Sequence, residues 1–387
     1  MLVRMKKVTC ISICLVFVLL LIAATPVKAD TQREIGIATS ASLIGLSDTD
    51  LENRLNDIES LGADWIRVDF SWYFVQPDNA SDYNWEQHDR IVEAAGKHNL
   101  KVLALLNYTP KWARDSRCDS AAVDEAAARK CAPRSIDEFG RFAAVAARRY
   151  ENKNIRAWEI WNEPNLTAYW KTVQPDGTLS ADPIEYARLA NMAATQMRYH
   201  TDATIITGGL APLFEPQPST GIRQSDYLAK ILMHLNPDIF DGISVHPYTW
   251  PLLPTRAAEF NAFYTIDNGN SDYNLRTIMT EAGWGDKQIW GTEFGASTKG
   301  LRGDGYANWK DHRPDHVSEF KQAIIIEQGI EGWYHKSNVG PLFVHSDSDQ
   351  WLHEQTNEGG FGLRRDNGIE KPAYDAFKSA TQRLQSK

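Results

Sequence analysis

Along the chain, short runs of aliphatic, β-branched and aromatic residues alternate with longer stretches in which apolar residues recur every three or four positions. The short runs predict strands at Ile35–Ala38, Trp65–Phe70, Lys101–Leu106, Ala157–Trp161, Thr204–Thr207, Gly242–Val245, Gln288–Thr292 and Gly332–His335. The stretches between them predict helices. Leu51, Leu55, Ile58 and Leu61 fall at helical spacing behind Asp48 to Asp50, and Trp85 to His98 turns Ile91, Val92 and Ala95 inward. Ser135 opens a helix through Tyr150, and Asp182-Pro183 opens another with proline at its first position. Helices are also expected near 226–235, 272–281, 316–328 and 372–384.

Eight strand–helix pairs predict a parallel sheet covered by helices, and at this length a (β/α)₈ TIM barrel as a single domain. A doubly wound dinucleotide fold is disfavoured, because no glycine-rich loop follows the first strand. In a (β/α)₈ barrel the loops after the strands build the active site.

The N-terminus does not join this alternation. Arg4, Lys6 and Lys7 precede an apolar run from Val8 to Ala24, and Val27-Lys28-Ala29 resembles a cleavage site. That is the pattern of a signal peptide over 1–29, with an uncleaved membrane anchor as the alternative, and it predicts a secreted, periplasmic or cell-surface protein whose domain spans 30–387. Removing the leader takes away four positive charges and lowers the net charge from −9 to −13. So acidic a chain argues against a nucleic-acid partner and points to a neutral or cationic substrate. Cys10 and Cys14 leave with the leader. Cys118 and Cys131 remain, and in an exported protein they are expected to form a disulfide across one loop.

The fourth strand runs into Trp158-Glu159-Ile160-Trp161-Asn162-Glu163-Pro164-Asn165, where Pro164 ends the ladder. The seventh runs Gln288-Ile289-Trp290-Gly291-Thr292-Glu293-Phe294-Gly295. Each apolar strand delivers a glutamate at its C-terminal end, so Glu163 and Glu293 are expected to face each other across the barrel mouth. Paired carboxylates about 5–5.5 Å apart serve a retaining glycosidase, and a gap of about 6.5–9.5 Å serves an inverting one. Side-chain alternation puts Trp161 and Glu163 on one face, with Glu159 deeper on the same face as a buried structural group.

Asn162-Glu163-Pro164 with a second glutamate on strand seven resembles clan A of the glycoside hydrolases. The passage from Phe361-Gly362-Leu363 to Lys371-Pro372-Ala373-Tyr374 resembles family 39-type enzymes, which include β-xylosidases and secreted exopolysaccharide endoglycosidases. The resemblance implies Glu163 as acid/base, Glu293 as nucleophile and a covalent glycosyl-enzyme. It also implies that Asn162 binds a sugar 2-hydroxyl, that Arg67 pairs with the nucleophile, that His246 or Tyr248 orients Glu293, and that Trp333, as a strand-eight tryptophan, floors the site.

Tryptophan is abundant, at 13 copies, and Trp72, Trp112, Trp170, Trp250 and Trp333 fall at or beyond predicted strand ends. As a set they suggest an aromatic groove for an extended glycan, with Asn107 within reach of a sugar. Asn107 and Asn165 head glycosylation sequons at strand ends, where a glycan would obstruct the site, which points to a bacterial exporter without N-glycosylation. The aromatic groove and export favour endo action on a polysaccharide, with exo-glycosidase or transglycosylase chemistry as alternatives. A glycan-binding barrel without catalysis is disfavoured by the intact glutamate pair. Only His246 presents itself as a metal ligand in register, so no metal and no cofactor is expected. The chain is expected to act as a monomer without stable membrane association.

Overall fold

A computed structural model describes residues 33–215, 219–270, 272–299, 316–350 and 357–386. The expected leader, 1–29, lies outside the described residues. Eight parallel strands close into a barrel: β1 Ile35–Ser40, β2 Trp65–Ser71, β3 Lys101–Asn107, β4 Ile155–Asn162, β5 Thr204–Gly209, β6 Gly242–Val245, β7 Gln288–Phe294 and β8 Val339–Val344. Each pairs with its neighbours in sequence, and β8 returns to β1 through Ile35 opposite Leu342. The principal covering helices among the described residues are α1 Asp48–Ser60, α2 Glu86–Lys97, α3 Ile136–Arg149, α4 Pro183–Arg198, α5 Gln224–Leu232, α6 Leu275–Glu281, α7 Glu319–Trp333 and α8 Pro372–Gln385. The architecture is the (β/α)₈ barrel that the alternation predicts.

The helices form where the apolar spacing puts them. In α3, Phe139, Phe142, Ala143, Ala146 and Ala147 are all buried, while Arg148 and Arg149 close its last turn and suit the helix dipole. Helix α4 starts as its sequence predicts: the Asp182 side chain accepts the backbone N–H groups of Ile184 and Glu185, and Pro183 takes the first turn.

The eighth strand corrects the sequence reading. Residues 332–335 are not a strand, because the spacing Ile326, Ile330, Trp333 carries α7 on to Trp333. The true strand begins at Val339 and contains Pro341, which has no N–H for a ladder. Opposite β7, Val339 pairs with Ile289 and Leu342 with Gly291, so one extra residue bulges at the Gly340-Pro341 step.

Inside the barrel, alternation stacks residues in layers. The lower layer is apolar and closed: Ala38, Trp65, Leu103, Ala157, Ile206, Trp290 and Phe343 form one buried cluster. Trp65 meets Trp290 edge to face at 5.6 Å between ring centroids. Gly340 makes room for that stack, since a Cβ there would stand 2.4 Å from the Trp290 indole nitrogen. Two residues further along the same strands the lining turns polar: Trp65 gives way to Arg67, Ala157 to Glu159 and Trp290 to Thr292. This polar layer is the floor of the mouth.

Candidate active site

Arg67 organises the floor. Fully buried, it donates from Nε to Glu159 Oε2 at 2.6 Å, from Nη1 to Glu293 Oε1 at 2.6 Å and from Nη2 to Asn162 Oδ1 at 2.8 Å. Burial alone would lower its pKa, but Glu159 and Glu293 more than offset this and keep the guanidinium charged. Glu159 is fully satisfied. Its other oxygen accepts from the Gly209 N–H at 2.8 Å, the Thr292 hydroxyl at 2.9 Å and the Ser244 hydroxyl at 3.1 Å. The sequence reading of Glu159 as a buried, paired group agrees with this geometry.

Glu163 and Glu293 stand at the mouth, with 13% and 14% of their side-chain surface exposed, whereas Glu159 has none. A carboxylate oxygen of each and a ring nitrogen of His246 all lie within 4.8 Å of one another. His246 Nδ1 is 3.0 Å from Glu163 and 3.6 Å from Glu293, and the Tyr248 hydroxyl donates to Glu293 at 2.9 Å. Burial pushes the Glu293 carboxyl up. The charges of His246, Arg67 and His345, with the Tyr248 hydrogen bond, outweigh burial and hold it below the usual carboxylate range. His246 is raised in turn: burial opposes its charge, and Glu293 and Glu163 favour it.

Glu163, His246 and Glu293 could enclose a cation by distance, a convergence that the sequence reading, which saw only His246, did not register. Arg67 and Tyr248 already occupy one oxygen each of Glu293, so the donor set is arranged around protons.

Strict alternation fails where the glutamates emerge. Trp161 has φ +74° and Glu163 φ +46°, both in the left-handed region that non-glycine residues seldom enter. As a result Trp161 turns outward, away from Glu163. Its indole N–H donates to Tyr169 O at 2.8 Å and its ring packs on Phe139 and Trp170. The consecutive residues Asn162 and Glu163 both face the cleft. On β7, the consecutive Thr292 and Glu293 likewise both turn inward, to Glu159 and Arg67.

The glycine that ends β5 ties this arrangement together. Gly209 gives its N–H to Glu159 and its carbonyl to the Glu163 N–H at 3.0 Å. A Cβ there would lie 2.2 Å from His246 Nε2.

A cavity of about 620 Å³ opens above this floor. Arg67, Asn162, Glu163, Tyr248 and Glu293 line it, and His246 sits just beneath them. Asn107 does not line it. It is fully buried and donates to Asp69 at 3.3 Å, and Asp69 is the group that reaches the cleft. Trp112 also stands outside, donating to Gln76 O and packing edge-on against Trp72. Trp333 is a further correction: it is fully buried at the end of α7 and donates to Gly340 O, so it does not floor the cleft. Trp72 and Trp170 are buried too, and of the five tryptophans only Trp250 lines the cavity.

The aromatic walls are instead Tyr108 and Tyr169 after β3 and β4, Phe214 after β5, and Tyr248, Trp250, Phe260 and Phe361 after β6 and β8. Sequence reasoning passed over Asp69, Tyr108, Tyr169 and His345. The i, i+2 step from Arg67 could have flagged Asp69. Both sequon asparagines are closed off in the folded protein, since Asn165 is also fully buried and bonded to Ala211 and Ile222. Cys118 and Cys131 form the expected disulfide.

Residues 31–323, more than half of the chain, match the family described as Cellulase (glycosyl hydrolase family 5). A β-xylosidase from Caldicellulosiruptor saccharolyticus is 24% identical over 328 residues, which is 81% of this chain and 59% of that protein. The chain therefore spans less than two thirds of that relative. A family 39 glycoside hydrolase from Bacteroides cellulosilyticus WH2 superposes with a TM-score of 0.62 at 19% identity, covering 92% of this chain and 64% of the other. A GH5_18 enzyme from Streptomyces cattleya gives 0.63 at 16%, covering 92% and 81%. With the sequence match, the shared barrel and the glutamates on β4 and β7 in view, the chain belongs to the cellulase family, glycosyl hydrolase family 5, within clan A of the glycoside hydrolases.

Proposed function

We propose that this protein is an exported, retaining glycosidase that cleaves a polysaccharide internally by double displacement. The observation that carries the reading is the approach of Glu163 and Glu293 to within 4.8 Å. So close an approach of their oxygens supports direct attack on the anomeric carbon over the wider spacing that an inverting reaction uses. The two differ in support. Glu293 receives Arg67 and Tyr248 and stays ionised, as a nucleophile must. Glu163 has no arginine; its partner is His246 Nδ1. Glu163 gives its proton to the leaving oxygen as Glu293 forms the ester, and then, ionised, takes a proton from the water that releases the sugar. Asn162, held by Arg67, is placed to meet the hydroxyl next to the anomeric carbon.

Endo action is supported by aromatic lining that comes from separate parts of the barrel, Tyr108 and Tyr169 after β3 and β4 and Trp250, Phe260 and Phe361 after β6 and β8. Export is supported by the leader-like N-terminus and the disulfide.

Glu163→Gln and Glu293→Gln should each lower turnover of an unactivated polysaccharide by roughly 10³-fold or more. Proton NMR of early products should show the anomeric configuration retained. Near-wild-type turnover in either variant, or inverted product, defeats the reading.

A further inference from the structure

The cleft carries two positive charges that the hydrolytic machinery does not use. Arg129 and Lys130 line it beside Tyr108 and Tyr169, on the segment that ends at Cys131. Neither side chain forms an ion pair or hydrogen bond among the described residues. Arg129 lies over the Tyr108 ring at 5.2 Å with its buried Nε unpartnered, and Lys130 lies over the Tyr169 ring at 4.1 Å. The carboxylates acting on Lys130, Glu163 first and then Glu358 and Asp124, do so without an ion pair, and Glu163 and Glu358 share the cleft lining with it.

The segment is anchored on three sides. The Cys118–Cys131 disulfide fixes its end, Thr109 donates its N–H to Arg129 O at 2.7 Å, and Lys171 donates its N–H to Lys130 O at 3.0 Å. Two adjacent cations held rigidly at a cleft, with Lys171 close enough to repel Lys130, are costly unless an anion meets them. Aromatic faces supply only part of that compensation. The acidity of the whole chain does not oppose this. Charges beyond about 8 Å are screened at physiological salt, so a substrate in the cleft meets the local pair and not the net −13 that remains after the leader is removed.

Resting on the glycosidase reading above, we propose that the substrate is an acidic glycan, whose carboxylate or sulfate group is bound by Arg129 and Lys130 beside the scissile bond. Guanidinium suits the planar, two-pronged contact that either anion offers.

The test uses one backbone in three forms: a cello-oligosaccharide, its C6-carboxylated form and its 6-O-sulfated form. Binding is measured by calorimetry on the Glu163→Gln protein, which does not consume them. At low salt the anionic forms should bind at least roughly tenfold tighter than the neutral one. That ratio should shrink in Lys130→Gln, fall to about one when Arg129→Gln is added, and weaken in 0.5 M NaCl. A gain with carboxylate alone assigns uronic acid, a gain with sulfate alone assigns a sulfate ester, and equal gains assign anion recognition as such. If neither anionic form binds better than the neutral one, including no binding by any of the three, the proposal is overturned; so it is if the gain survives the double substitution in a protein of unchanged melting temperature. The functional reading fails separately, if the wild-type protein releases no reducing ends from any of a panel of neutral and acidic polysaccharides.

Discussion

Two carboxylates share Arg67 and do opposite things with it. Glu159 lies deep in the barrel, wholly enclosed, with four donors on its two oxygens. Glu293 lies at the rim, partly open, with Arg67 on one oxygen and Tyr248 on the other. The deep group has its acceptor sites taken up by the protein, and its role is to help neutralise and aim a guanidinium whose Nε would otherwise be buried without a partner. The rim group retains lone pairs facing the cleft. Proximity to an arginine therefore does not mark a nucleophile. What separates the two is how many of their acceptor sites the protein itself fills.

The largest expected effect tests the deep half of this contrast. Glu159→Ala strips Arg67 of its inner partner and should cost about 3–5 kcal/mol in urea unfolding. A variant that keeps its unfolding midpoint and loses only turnover would make Glu159 a participant and erase the distinction.

Next is Tyr248→Phe, which removes one donor from Glu293 while leaving the packing of the ring. Turnover should fall roughly 10- to 100-fold with stability little changed. Ionised Glu293 is favoured in the folded protein, so its contribution to stability is present above the ordinary carboxylate range and is lost as the pH falls through its lower, folded value. Without the Tyr248 donor that value rises, and the acid limb of kcat/KM should move to higher pH. An unmoved limb would mean that Tyr248 does not hold the charge.

The smallest effect belongs to Thr292→Val, which deletes one of the four donors to Glu159. It should cost about 1.5 kcal/mol of stability and leave kcat near the parent value. A large loss of kcat here would couple the deep carboxylate to the chemistry more tightly than the geometry supports.

Much of this was legible in the residues. The strand–helix alternation gave the barrel, and the two apolar strands that end in glutamate gave the pair, because both signals live in local pattern. The eighth strand was hidden by Pro341, which reads as a strand breaker and is accommodated by a bulge that only the paired strand reveals. The tryptophans misled for a different reason. Trp72, Trp170 and Trp333 fill the space between strands and helices, and size and polarity alone do not distinguish that space from a cleft wall. The outward turn of Trp161 rests on a left-handed backbone that a tryptophan gives no sign of adopting. Arg129 and Lys130 disappear in a whole-chain sum of charge, since a sum has no address.

Gly209 has a consequence for descent. Its amide serves the deep carboxylate, its carbonyl serves the Glu163 backbone, and the space where a side chain would begin holds the imidazole of His246. A lineage could keep both glutamates and still lose the catalyst by one methyl group at this position. The heritable signature of the site therefore includes an absence, and a homologue bearing any side chain at 209 should be sorted with the inactive barrels however well its glutamates align.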